Sequence, residues 1–232
     1  MIIIPARIAS TRFPRKVLYE IDGLPMVIRT ALQAKEVDDV VIATDSQEVI
    51  AVAKNHGFDA VLTSATHASG TDRINEAATI LGVDQNEIIL NVQADEPFIE
   101  PEVIKTLQEL TQKHRDFENV MMCTLYKSEP YQAKEDPNRV KVVVDGAGYA
   151  LYFSRSQIPY PRSSLKNIKI HLGLYGYTKK MLERFCALQQ APLEEIEKLE
   201  QLRALYHGYK IAIKEVKSQS IGIDTPKDLQ KI

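Results

Sequence analysis

Four cations fall within the stretch Pro5-Ala6-Arg7-Ile8-Ala9-Ser10-Thr11-Arg12-Phe13-Pro14-Arg15-Lys16. It follows the apolar run Ile2–Ile4, and in a parallel sheet ligands bind beyond the carboxyl ends of the strands. Arginine brings a fixed fork of donors that suits phosphate oxygens, and lysine brings a mobile point charge. The hydroxyls of Ser10 and Thr11 add two further donors. The chemistry open to such a loop is the holding of a polyphosphate; on pattern alone, a solvated basic loop is an equal reading.

Carboxylates supply the complementary half. Asn91-Val92-Gln93-Ala94-Asp95-Glu96-Pro97 leaves another apolar strand at its carboxyl end, where Asp95 is placed to hold Mg2+, an ion that prefers oxygen ligands. Glu96, before a proline, reads as extended, with its side chain pointing away from Asp95. Taken alone, the segment reads slightly better as a turn that only caps the helix near Pro101. In Gly222-Ile223-Asp224-Thr225-Pro226-Lys227-Asp228, capping explains Thr225, Pro226 and Asp228. Asp224 is left over, just before the helix where a second metal-binding carboxylate could project, though capping is the safer reading of this segment alone. His67-Ala68-Ser69-Gly70-Thr71-Asp72-Arg73 enters a helix, and its N–H groups with Arg73 suit an anion or a base edge, or only an N-cap. His171 and Tyr175 are four apart in a strand-like segment and share a face, where packing is the simpler reading. Glu194, Glu197 and Glu200 read as a solvated helix stripe.

These residues need a frame. Apolar runs at Ile2–Ile4, Val40–Ala43, Ala60–Leu62 and Ile88–Val92 alternate with helical patterns at Met26–Lys35, after the capping Ser46, at Asp72–Leu81 and from Pro101 to His114. Such alternation predicts βαβ units around a buried, mainly parallel sheet. The second half reads as strands at Asn119–Tyr126, Val140–Asp145, Tyr149–Ser154 and His171–Tyr177, with Asp145-Gly146-Ala147-Gly148 as a hairpin turn. Helices at Lys179–Leu188 and Leu193–Tyr206, a strand at Ile211–Val216 and a short helix after Pro226 complete the chain. The expectation is one α/β domain over residues 1–232, with a strand-rich antiparallel insertion at about 119–177.

Composition narrows the function further. The chain has 232 residues and a formal net charge of −2, without the basic excess that nucleic-acid binding requires. Its ten glycines form neither a G-x-G-x-x-G nor a Walker A loop, so any phosphate is held by side chains or metal. Cys123 and Cys186 have no paired spacing and read as buried small residues. No spanning segment or signal peptide is apparent, which points to a cytoplasmic protein with no membrane partner.

In combination, the motifs IPAR-x-AST-R-x-P, H-x-SGT-x-R, NVQ-x-DEP, NxVKVV-x-D, YALYFSR, HLG-x-YGY, LE-x-x-E-x-LEQLR and GIDTP occur in order along nearly the whole chain. They resemble the 3-deoxy-D-manno-octulosonate (Kdo) cytidylyltransferase family. The resemblance implies a three-layer fold of the nucleotide-diphospho-sugar transferase type and transfer of CMP from CTP to the anomeric hydroxyl of Kdo, with release of pyrophosphate. It implies Mg2+ on Asp95 and Asp224, and catalytic roles for these two with Arg12 and Lys16. Nucleotide contacts would come from Ala6, Arg7, Ser10, Thr11, Arg12, Lys16, Arg73 and Gln93. Arg155, His171, Tyr175, Glu200 and Gln201 would form the sugar-acid pocket, which partly reassigns the glutamate stripe. A homodimer is implied as well, with the 140–175 region as its interface. Ser-Thr-Arg in the first loop favours Kdo over sialic acid; an amino-substituted Kdo, or a CTP-binding regulator without chemistry, are the other readings. One departure is Pro14-Arg15-Lys16 where the family usually has Pro-Gly-Lys, which disfavours a left-handed backbone at 15.

Overall fold

Five consecutive apolar residues, Ile2–Ala6, form strand β1, and every one of them is buried. Strand β4 (Val40–Thr44) has the same unbroken burial and lies parallel to β1, with Ile2 opposite Val40 and Ala6 opposite Thr44. Continuous burial of this kind marks parallel strands covered on both faces. The computed structural model describes residues 1–9, 13–131, 136–163 and 166–231. Strands β5 (Asp59–Leu62) and β6 (Ile88–Asn91) extend the parallel block on either side, β5 on β4 and β6 on β1.

Beyond β6 the sheet turns antiparallel. Strand β10 (Asn167–Thr178) pairs antiparallel with β6 and with β7 (Val120–Pro130), and β11 (Lys210–Glu215) closes that edge parallel to β7. A bulge between Leu172 and Tyr175 shifts the β10–β7 register. Strands β8 (Lys141–Val144) and β9 (Ala150–Ser154) form the predicted hairpin and join the sheet through β10. Among the described residues, nine strands make one sheet, with the path β11-β7-β10-β6-β1-β4-β5.

Side-chain alternation sends Ile2, Ile4 and Ala6 into one core and Ile3 into the other. The first core is covered by α1 (Met26–Lys35), α2 (Gln47–Asn55) and α4 (Pro101–His114). The second is covered by α3 (Gly70–Ile80), α5 (Lys179–Ala187) and α7 (Leu202–Tyr206). Helix, sheet and helix thus make the three layers expected. Among the described residues, no helix is long and apolar enough to cross a membrane.

Several local expectations need correction. The helix read over Leu193–Tyr206 is two pieces, α6 (Pro192–Glu197) and α7, broken where Lys198 takes a left-handed backbone (φ 52°). The glutamates spaced along it therefore point inward rather than to solvent. Glu194 pairs with buried Arg203, and Glu197 accepts from Ser154 Oγ at 2.6 Å and from the Arg155 N–H at 2.9 Å. Ser46 holds the N-cap position of α2, but its side chain makes no capping bond. The final helix, Pro226–Lys231, is 3-10. A two-stranded hairpin, β2 (Glu20–Ile21) with β3 (Leu24–Pro25), was not expected, although Asp22-Gly23 with positive φ at both residues is a strong short-range hairpin signal.

Candidate active site

At the carboxyl end of the parallel block lies a polar cleft of about 300 Å³ lined by Arg7, Lys16, His67, Arg73, Gln93, Asp95 and Asp224, among others. Each comes from a junction: Arg7 just after β1, Gln93 and Asp95 after β6, and Arg73 in the first turns of α3. Strand β6 ends at Asn91, opposite Ile3, and the segment beyond it carries Gln93 and Asp95 on to the mouth. This is where ligands sit in open α/β sheets.

Three groups define the chemical centre. Lys16 Nζ lies 2.5 Å from Asp95 Oδ2 and 3.3 Å from Asp224 Oδ1, so carboxylates from opposite ends of the chain converge on one cation. The lysine is nearly buried, with 9% of its surface exposed. The donor set is oxygen alone. Among the described residues, no group of three or more His, Cys, Asp or Glu gathers. Two carboxylates fit Mg2+, which keeps several waters and takes substrate phosphates as further ligands.

Neighbouring groups fix these residues. Asp45, directly after β4, accepts from the Ile8 N–H at 3.2 Å and from the Arg73 guanidinium at 3.1 Å, tying the cationic loop to α3. Arg73 also donates to Thr63 Oγ1 at 2.6 Å and to the Ser64 carbonyl. It is thus a buried strut with one edge on the cleft rather than a mobile base-binding arm. Ser69 caps α3 by accepting from the Asp72 N–H. His67 bonds to Glu76, whose carboxyl is held low by the Ser64 N–H and the imidazole against the opposing effect of burial. Burial and the nearby Asp95 charge push the Glu96 carboxyl up to about 7.

Four of the five predicted sugar-acid residues form a second, enclosed cluster. The rings of His171 and Tyr175 lie 5.5 Å apart, and the Tyr175 hydroxyl donates to Gln201 Oε1 at 3.1 Å. Burial pushes the His171 imidazole down to about 3 and the Tyr175 phenol well up. Glu200 accepts from Thr71 Oγ1 at 2.9 Å, and burial raises its carboxyl. Thr71 follows the cleft-lining Ser69 and Gly70, so this glutamate connects the cluster to the cleft wall. Glu200 Oε1, Gln201 Nε2 and Asn91 Nδ2 are buried and have no partner among the described residues. Buried polar atoms of this sort carry a desolvation cost unless a ligand or water meets them.

Not every expected residue joins either group. Arg155 lies apart, its guanidinium donating to the carbonyls of Glu197, Lys198 and Pro137. Ala6 is fully buried, between cleft-lining Pro5 and Arg7. Ser10, Thr11 and Arg12 lie outside the described residues. Arg15 keeps the left-handed backbone (φ 56°, ψ 27°) that the missing glycine argued against, and its guanidinium meets Glu48 at 2.5 Å. Asp45 was missed, although an Asp directly following a buried strand occupies the same kind of position as Asp95.

A three-layer α/β fold that gathers cations and two carboxylates at the carboxyl edge of its sheet has the make-up of a nucleotidyltransferase. The sequence profile of the cytidylyltransferase family matches residues 1–212, and this chain belongs to that family. It is 69% identical to a 3-deoxy-manno-octulosonate cytidylyltransferase of a Nitratiruptor species, over all of this chain and 98% of that one. It is 55% identical to the Wolinella succinogenes protein of the same name, over all of this chain and 97% of that one. Among solved structures, a CMP:2-keto-3-deoxy-manno-octonic acid synthetase complexed with CTP superposes with a TM-score of 0.88 at 38% identity, covering 99% of this chain and 95% of the other.

Proposed function

We propose that this chain transfers CMP from CTP to the anomeric hydroxyl of Kdo, giving CMP-Kdo and pyrophosphate and activating the sugar acid for lipopolysaccharide assembly. The observation that carries the proposal is the meeting of Asp95, Asp224 and Lys16 in a cationic cleft, in a chain so similar to a synthetase solved with CTP. The sugar oxygen attacks the α-phosphorus, an O–P bond forms, and the bond to the β-phosphate oxygen breaks in line. Both reactants are anionic, so positioning and charge neutralisation do most of the work.

Arg7 and Lys16 line the cleft and neutralise the triphosphate and the departing pyrophosphate; Arg12 joins them by its place in the family motif. Gln93 and the fixed edge of Arg73 face the nucleoside. Asp95 and Asp224 would hold Mg2+, which supplies electrophilic polarisation of the phosphoryl group and makes the sugar hydroxyl easier to deprotonate. Lys16 pairs with both carboxylates, and its ammonium would turn to phosphate when these two residues hold the ion. His171, Tyr175, Glu200 and Gln201 receive the sugar acid, their unpartnered atoms meeting its hydroxyls, and Arg155 braces the loop after β9. The enzyme works as a cytoplasmic homodimer, the strand-rich region forming its interface.

Pyrophosphate release is measured with CTP and Mg2+ while the acceptor is varied. Rapid release with Kdo, and little with sialic acid or 8-amino-Kdo, is expected. Faster release with another sugar acid reassigns the acceptor; tight CTP binding with no release under any condition makes the chain a binding protein.

A further inference from the structure

Asp224 comes from the far end of the chain to Lys16, the cation it shares with Asp95, yet residues 216–224, which carry it there, belong to no helix or strand. Its course is set by bonds to the segment after β6. Glu100, at the N-cap position of α4, makes no capping bond with its side chain. Its two oxygens accept from Ser218 Oγ at 2.7 Å and from the Gln219 N–H at 2.6 Å. Glu96 Oε2 accepts from Ser220 Oγ at 2.8 Å, and the Lys127 ammonium donates to the Ser220 carbonyl at 3.2 Å. The Ile223 N–H then donates to the Asp95 carbonyl at 2.8 Å, one residue before Asp224.

Gly222 belongs to the same arrangement. Its φ is not positive, so no backbone requirement explains it. A Cβ there would lie 2.9 Å from Glu96 Oε1 and 3.5 Å from the carboxyl carbon. Serine, glycine and glutamate thus fit together closely at this point. Both Glu100 oxygens and one Glu96 oxygen are engaged by the 218–220 segment, and the other Glu96 oxygen lies against Gly222.

We propose that Glu100 and Glu96 are positioning residues that clasp segment 216–224 to the turn after β6, and so hold Asp224 facing Asp95 and Lys16. The inference rests on the reading above, in which Asp224 is a metal-binding carboxylate. Losing the clasp leaves both aspartates in the chain but lets their separation vary. The consequence falls on cation affinity more than on nucleotide affinity. Partners one shell out from a metal commonly matter about 10- to 100-fold in affinity.

The test compares E100A, E100Q, G222A and D224N in the full-length enzyme. E100A should raise the Mg2+ concentration that half-saturates pyrophosphate release by about tenfold or more, while KM for CTP at saturating Mg2+ stays close to the parent. Mn2+ bound in the presence of CTP, followed by electron paramagnetic resonance, should weaken to match. Hydrogen exchange should show faster exchange at the Gln219 and Ile223 amides. E100Q keeps one amide oxygen for the Gln219 N–H and should recover most of the cation affinity. G222A keeps both glutamates and displaces the Glu96 carboxylate, so it should shift Mg2+ dependence the same way; it also answers the question should E100A fail to fold.

Parent-like Mg2+ half-saturation and parent-like Ile223 exchange in E100A and G222A would overturn the clasp. If D224N itself keeps the parent's Mg2+ dependence, it is the metal assignment that fails. If D224N loses turnover while E100A and G222A behave as the parent, the clasp alone is wrong.

Discussion

The cleft and the enclosed cluster beside it are both polar, but they manage polarity in opposite ways. In the cleft, full charges face one another at partly open positions: the side chains of Asp95 and Asp224 are 30% and 48% exposed around the Lys16 ammonium. In the cluster, the imidazole of His171 is held neutral, the Tyr175 hydroxyl is kept protonated, and Gln201 is 3% exposed. Charges near water can exchange partners at low cost, so the cleft suits groups whose charge changes during a reaction. Neutral donors and acceptors fixed in a desolvated site suit recognition, because a ligand that fails to pair them leaves a cost unmet. On the proposed function, chemistry and selection would lie side by side on one sheet.

The largest expected effect breaks the cleft side of that comparison. Asp95→Asn and Asp224→Asn preserve shape and remove one charge each. Each should lower kcat by about 10²- to 10³-fold, the scale on which loss of one preorganised electrostatic group is felt. CTP binding measured by calorimetry should change little. Near-normal turnover in Asp95→Asn would remove that carboxylate from the chemical centre.

A smaller effect is expected in the cluster, and on a different kinetic constant. Gln201→Ala removes the acceptor of the Tyr175 hydroxyl and one of the unpartnered donors. KM for Kdo should rise by about tenfold or more, on the scale of a hydrogen-bonding group deleted from a buried site. KM for CTP should stay put. If instead the CTP constant moves and the Kdo constant does not, the two regions do not divide the work as described.

How far each region could be read in the sequence follows the same division. The cleft was partly legible: Arg7, Gln93 and Asp95 each follow an apolar strand, where such a sheet binds ligands, but a solvated loop and a turn before a helix suited the same residues. Asp45 belongs to the same pattern and needed only its consistent application after Val40–Thr44. The cluster was not legible from spacing: His171 and Tyr175 straddle a bulge in β10, and Glu200 and Gln201 follow a helix break at Lys198 that no glycine or proline announces. Periodicity turned Glu194, Glu197 and Glu200 into a solvated stripe, and only the resemblance placed Glu200 at the sugar acid. The clasp had no signal at all, since its glutamates and serines meet through a segment without regular structure.

The neutral His171 also makes a prediction about stability. Thr124 Oγ1 lies 2.6 Å from the Leu174 carbonyl, to which it donates, and so accepts from His171 Nε2 at 2.9 Å. Protonating the ring would add a buried charge. The folded-state value is depressed to about 3, against an ordinary 6.5. The unfolded chain therefore takes up a proton first as pH falls. The stabilisation is complete above pH 6.5 and is lost as pH falls from there toward 3, by up to about 1.4 kcal/mol per pH unit. Denaturant unfolding of His171→Phe should show a shallower acid slope across that window; an unchanged slope would mean the ring is already charged in the fold.

The smallest effect lies at Arg15, a charge beside the cleft loop that faces away from its chemistry. Its left-handed backbone costs about 1 kcal/mol relative to glycine. Against this stands the ion pair with Glu48, whose two side chains are 59% and 50% exposed. An exposed pair contributes only about 0–1 kcal/mol. Glycine at 15 would also loosen the unfolded chain, offsetting about 0.4–1 kcal/mol of the relieved strain. These contributions nearly cancel, so Arg15→Gly should change stability by no more than about 0.5 kcal/mol, the scale of an ordinary surface substitution. Arg15→Ala keeps the strain and loses the pair, and should be the less stable of the two. Steady-state constants for CTP should match the parent in both variants, because the guanidinium is directed at α2 rather than into the cleft. A raised KM for CTP in Arg15→Ala would instead enrol Arg15 with Arg7 and Lys16, and widen the charged region that the comparison confines to the cleft.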